Sequence, residues 1–140
     1  MITVQNRQRK ISLNLAALRA FSQEALTAVL AEPPQRGDVL AVLDEIGVTI
    51  VSDAKMAKLH VDFMGIPGPT DVLTFEHGEI VVSAETAARY GAEHSQTPND
   101  EVSLYILHGL LHLRGFDDLE PAAAEKMRTV QARLFEPLRK

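Results

Sequence analysis

The chain has no cysteine and no tryptophan. Without cysteine, disulfides and thiolate metal sites are excluded, so any metal must be held by His, carboxylate or water. Aromatic residues make up only 5% of the sequence, so base stacking on an aromatic platform is not expected to dominate any nucleic-acid binding. Positive charge is in deficit: 14 Lys and Arg against 19 Asp and Glu leave a formal net charge of −5. That argues against a globally basic surface for nucleic acid. No apolar run approaches the ~20 residues that cross a bilayer, and residues 1–6 alternate like a strand rather than forming the core of a signal peptide. The expectation is a cytoplasmic protein without membrane association. At 140 residues the chain has the usual size of one domain around one core.

What is present is an alternation of strand and helix patterns without a linker, repeat or low-complexity tract. Residues 2–6 and 48–51 suit strands. Asn14 can cap a helix running to about residue 32, with Leu15, Leu18, Phe21, Leu26, Val29 and Leu30 as its apolar stripe. Pro33, Pro34 and Gly37 then break the chain before a short apolar run at 39–43. Ser52 or Asp53 caps a helix to about residue 63, and a Gly- and Pro-rich loop, 65–69, leads into a hairpin of strands 72–76 and 79–82 turning at His77-Gly78. Helices follow from Ser83 or Ala84 to about 94, over about 100–114, and from Pro121 to about 136. The fold expected is α+β, a small mixed sheet of about four strands covered by helices.

The most informative segment is His108-Gly-Leu-Leu-His112-Leu-Arg-Gly115-Phe-Asp117-Asp118. A helix advances about 100° per residue, so positions i and i+4 project side by side. His108 and His112 can therefore offer ring nitrogens to one ion. Gly115 can adopt the left-handed conformation that ends a helix, after which Asp117 or Asp118 can return toward the same ion. Three protein ligands leave a position for water, which distinguishes a catalytic site from a structural one. The competing reading is two partly buried structural histidines on a Leu-rich helix; Leu110, Leu111 and Leu113 need no explanation beyond the core. Position 109 is Gly, where metallopeptidases with His-Glu-x-x-His carry their catalytic Glu.

These residues carry a resemblance. The stretch His108-Gly109-x-x-His112-x-x-Gly115-Phe116-Asp117 is similar to the signature His-Gly-x-x-His-x-x-Gly-Tyr-Asp-His of the YbeY family, bacterial endoribonucleases linked to rRNA maturation. Upstream, Pro69-Thr70-Asp71-Val72-Leu73-Thr74-Phe75 resembles the family's Pro-Thr-Asp-Val-Leu-Ser-Phe, Gly78-Glu79-Ile80 resembles Gly-Asp-Ile, and Glu101 falls where the family has Glu. The resemblance runs from about residue 59 to residue 118. It implies a metal-dependent, single-strand-specific endoribonuclease, with RNA and ribosome-associated proteins as partners and His108, His112 and Asp118 as metal ligands. His108, His112 and Asp117 are then the candidate catalytic residues. Asp117 and Glu101 are candidate bases or partners of the ligand imidazoles.

Two departures matter. Asp118 stands where the family has its third His, but two His and one carboxylate form a well-populated catalytic zinc set; a harder oxygen ligand also admits manganese, iron or nickel. Met64 stands where the family has an Arg, so a guanidinium suited to phosphate is replaced by an uncharged thioether. Lys58, His60 and Arg114 are the candidates to contact substrate instead. Thr70 and Asp71 either tie the turn before strand 72–76 or touch substrate as well. Arg7, Arg9, Lys10, Lys55 and Lys58 could form a local basic patch despite the acidic total. Two further readings stay open: a non-catalytic relative that binds ribosomal partners, and a different metallohydrolase such as a peptidase.

Overall fold

The computed structural model describes residues 1–139. One mixed sheet has the order β1-β2-β4-β3. Strands β1 (Ile2–Asn6), β2 (Ile46–Val51) and β4 (Glu79–Ser83) run parallel, and β3 (Val72–Phe75) pairs antiparallel with β4 at the sheet edge. Around it lie α1 (Leu15–Leu30), α2 (Asp53–Met64), α3 (Ala84–Glu93), α4 (Pro98–Leu113) and α5 (Pro121–Leu138). The expected α+β fold with four strands is the one observed.

Strand side chains alternate between two cores, as the period of two requires. Ile46, Val48 and Ile50 of β2, with Ile80 and Val82 of β4, face a large core shared with α1, α4 and α5. Val51, Leu73 and Val81 face a smaller one closed by Met56 and Leu59 of α2. Helix α4 is the spine of the larger core: Val102, Ile106, Leu107, Leu110 and Leu111 are fully buried. Burying a side chain of this size contributes about 1.5–3 kcal/mol, so the motif helix is among the most firmly held parts of the molecule. Gly109 sets how closely α4 lies on the sheet. A Cβ there would stand 2.8 Å from the Ile80 side chain, so any larger residue would have to push Ile80 or α4 aside.

Local chemistry starts the helices. Asn14, Ser52, Ser83 and Thr97 each accept a hydrogen bond from a first-turn N–H, as N-caps do. Thr97 capping with Pro98 at the first helical position starts α4 slightly before the expected residue 100. Helix α1 ends at Leu30, ahead of Pro33-Pro34, and the apolar run at 39–43 contains a 3₁₀ turn, Leu40–Val42. Helix α5 continues through Pro137 to Leu138: the proline has no N–H to give to the preceding turn, but the Arg139 N–H still donates to Phe135 O at 2.9 Å. Among the described residues, no helix is long and apolar enough to cross a membrane.

Candidate metal centre

Helix α4 sets the His108 and His112 rings 4.6 Å apart between centroids and nearly perpendicular, at 85°. Their Nε2 atoms are 3.1 Å apart. Each Nδ1 faces an oxygen: Gln131 Oε1 on α5 lies 2.8 Å from His108 Nδ1, and the Phe116 carbonyl lies 3.1 Å from His112 Nδ1. A carbonyl only accepts, so neutral His112 carries its proton on Nδ1 and a lone pair on Nε2. With Gln131 Oε1 as acceptor, His108 has the same tautomer. Two lone pairs then face each other at 3.1 Å, which is unfavourable unless a cation lies between them. Two nitrogens on one tetrahedral zinc, with bonds of ~2.0–2.1 Å, stand about 3.3 Å apart.

The third group arrives through the turn after α4. Gly115 has φ +100°, and a Cβ there would stand 2.6 Å from the Gln35 carbonyl oxygen, so both conformation and space demand glycine. Its N–H donates to His112 O at 3.0 Å, and the Phe116 N–H donates to Leu111 O at 3.0 Å. Phe116 is buried and anchors the return. This brings an Asp118 carboxylate oxygen and one ring nitrogen from each His within 4.8 Å of one another. Burial, and secondarily the neighbouring His108, hold the His112 pKa below its ordinary value against the opposing pull of Asp118, the Phe116 carbonyl and Asp117. A neutral imidazole is the form that ligates metal. On donor type, tautomer and spacing, these residues fit a divalent ion.

The three residues line a cleft of about 400 Å³ together with Met64, Asp71, Thr74 and Glu76. Its lining includes carboxylates but no Lys or Arg. Met64, 58% exposed, therefore occupies the rim where a cation would matter. Asp71 combines two roles. Its Oδ1 accepts from the Val72 N–H at 2.7 Å and from Thr70 Oγ1 at 3.4 Å, tying the turn into β3, while the residue also lines the cleft.

The other sequence candidates lie apart from the cleft. Arg114 is buried, and its guanidinium donates to Leu30 O, Glu32 O and the Asp38 carboxylate. It satisfies carbonyls at the C-terminal end of α1, so the expected substrate contact gives way to a structural one. His60 Nδ1 is 2.9 Å from Gly68 O, which ties the loop after α2, and Lys58 is exposed on α2. Thr70 lines a neighbouring groove with Arg89 and Tyr90. Asp117 is exposed, accepts from the Leu119 N–H at 3.1 Å, and lines a groove with Gln35 and Lys126. Glu101 sits beside Tyr105 and Asp71 in a further groove, its pKa raised chiefly by burial.

Gln131 was not identified from the sequence. A signal existed: it interrupts the α5 apolar stripe formed by the buried Met127, Val130 and Leu134, and a polar residue at such a position has a buried partner to satisfy.

Comparison with known proteins places the chain in a family. The family model described as Endoribonuclease YbeY matches residues 3–139. A Protochlamydia amoebophila protein named Endoribonuclease YbeY is 32% identical over 151 residues, covering 100% of this chain and 94% of that protein. A Micrococcus luteus protein of the same name is 38% identical over 106 residues, covering 64% of this chain and 68% of that protein. The solution structure of a Thermotoga maritima protein superposes with a TM-score of 0.68 at 28% identity, covering 99% of this chain and 89% of that one. By the match over nearly its whole length, the chain belongs to the YbeY family.

Proposed function

We propose that this protein is a metal-dependent endoribonuclease that cleaves phosphodiester bonds in single-stranded RNA, acting in rRNA maturation in the cytoplasm among ribosome-associated proteins. The observation that carries the reading is the paired Nε2 atoms of His108 and His112, 3.1 Å apart, with Asp118 beside them in an open cleft. The names of the family relatives support RNA as substrate.

In this reading His108, His112 and Asp118 hold one divalent ion, zinc in preference to manganese, iron or nickel. When bound, the ion supplies positive charge to a phosphoryl oxygen and acidifies a water. The protein's own residues do the rest. Gln131 and the Phe116 carbonyl fix the Nδ1 protons and so aim both Nε2 lone pairs into the cleft. Asp117 holds the loop that carries Asp118. Two cleft carboxylates outside the ligand set are available to take a proton from the nucleophile: Asp71, of which only Oδ1 is engaged in hydrogen bonds, and Glu76. A peptidase is disfavoured because position 109 is Gly, where His-Glu-x-x-His metallopeptidases carry their catalytic Glu.

A second reading, a metal-binding ribosome-associated factor with little catalysis, is favoured by one observation: Met64 leaves the lining without a Lys or Arg for phosphate. Incubating single-stranded rRNA fragments with wild type and His112→Ala tests both. The endoribonuclease reading expects cleavage by wild type that His112→Ala abolishes. Equal cleavage by the two proteins would refute it, and no cleavage by either would favour the second reading.

A further inference from the structure

Strand β3 and the end of α2 separate two clefts. Thr74 and Met64 line the metal cleft, whereas their chain neighbours Phe75 and Phe63 line a second groove of about 550 Å³ on the sheet face beside α2. Three rings meet along that groove. Phe63 meets Phe75 edge-on, with centroids 5.3 Å apart and planes at 73°, and Phe75 lies nearly parallel to His77, at 5.7 Å and 23°. The outer two are open to solvent: Phe63 is 63% exposed and the His77 side chain 71%. Rings that are sparse in sequence are thus brought together by the hairpin and by α2.

Arg7 and Lys55 line the same groove. Neither has a carboxylate partner among the described residues; the Arg7 guanidinium donates only to Gln5 Oε1, at 3.3 Å. The acid in the lining, Glu79, stands 3.7 Å from His77 Nε2. Open ring faces beside unpaired cations match the faces of bases and the charge of the phosphates that link them. An apolar protein partner would have no use for the free cations, and burying them unpaired would oppose its docking. The combination is notable in a chain of net charge −5 whose metal cleft is lined by carboxylates.

We propose that this groove is a base-stacking platform for single-stranded RNA. It holds nucleotides adjoining those presented to the metal cleft, with the strand crossing the end of the β3–β4 hairpin between them. The proposal rests on the endoribonuclease reading and adds how the RNA is held.

The absence of tryptophan makes a direct probe available. Phe63→Trp introduces a single indole into the groove, to be titrated with an oligouridylate that a gel shows to remain intact. Saturable fluorescence quenching is expected, tracking the fluorescence anisotropy of the same labelled RNA and weakening with salt. Phe63→Ala should weaken binding about tenfold and Lys55→Ala several-fold, both with unchanged metal content and melting temperature. RNA binding by anisotropy without quenching, and with Phe63→Ala at wild-type affinity, would overturn the platform while leaving the endoribonuclease reading intact. Loss of self-association in Phe63→Ala at unaltered RNA affinity would also overturn it, making the groove a protein contact. No RNA binding by wild type would overturn both.

Discussion

Replacing Met64 by arginine introduces a guanidinium at the rim of a cleft whose lining includes Asp71, Glu76 and Asp118 and no cationic side chain. A phosphodiester entering that cleft meets carboxylate repulsion that, in the proposed enzyme, only the metal opposes. Two unit charges about 6 Å apart interact by roughly 2.8 kcal/mol at an effective dielectric constant near 20 and by about 0.7 kcal/mol in water. Met64 is 58% exposed, so the attraction between an arginine there and a phosphate belongs near the lower figure, at ~1 kcal/mol. That corresponds to about a fivefold rise in kcat/KM. The assay is cleavage of a fluorogenic single-stranded RNA at low and high ionic strength, with Met64→Leu and Met64→Glu as companions. Met64→Arg should gain, Met64→Leu should match wild type, Met64→Glu should lose by a similar factor, and the gain should shrink with salt. Identical rates for Met64→Arg and Met64→Glu would refute the view that phosphate approaches past this rim.

Three other substitutions test the supporting structure. Gln131→Leu removes the acceptor for His108 Nδ1 and should weaken metal binding about 10- to 100-fold in chelator competition; unchanged affinity would mean that Gln131 does not orient the ligand. Arg114→Leu strands the Asp38 carboxylate and the carbonyls of Leu30 and Glu32, so urea denaturation should show a loss of about 3–5 kcal/mol while RNA affinity per folded molecule stays the same. An RNA-affinity defect without instability would return Arg114 to the substrate. Gly109→Ala forces a methyl group to 2.8 Å from Ile80 and should cost about 1–3 kcal/mol by overpacking; an unchanged denaturation midpoint would contradict the close approach of α4 to β4.

Features set by near neighbours were legible in the sequence. The caps at Asn14 and Ser52, the paired imidazoles one helical turn apart, and the glycine closing α4 depend on residues within a few positions, so spacing alone carries them. The four-strand sheet followed from β-branched runs between turn residues. Asp118 could be singled out only through the family resemblance, because residue types cannot tell which of two adjacent carboxylates turns inward; the left-handed Gly115 and the buried Phe116 decide it.

Long-range partners were not legible. Arg114 reads as an ordinary cation inside the motif until α1, more than eighty residues earlier in the chain, delivers its final carbonyls. Gln131 finds His108 across 23 residues. The aromatic groove shows the same limit, since Phe63 joins Phe75 and His77 only when α2 packs beside the β3–β4 hairpin. A low aromatic content says how many rings exist, not whether they gather.

The central claim is that His108, His112 and Asp118 share one ion. It is met most directly by measuring metal per protein by mass spectrometry after dialysis against metal-free buffer, for wild type, His112→Ala and Asp118→Asn. The account predicts about one divalent ion per wild-type chain, essentially none in His112→Ala and a reduced content in Asp118→Asn, with all three proteins folded by circular dichroism. Equal metal content in wild type and His112→Ala would contradict it.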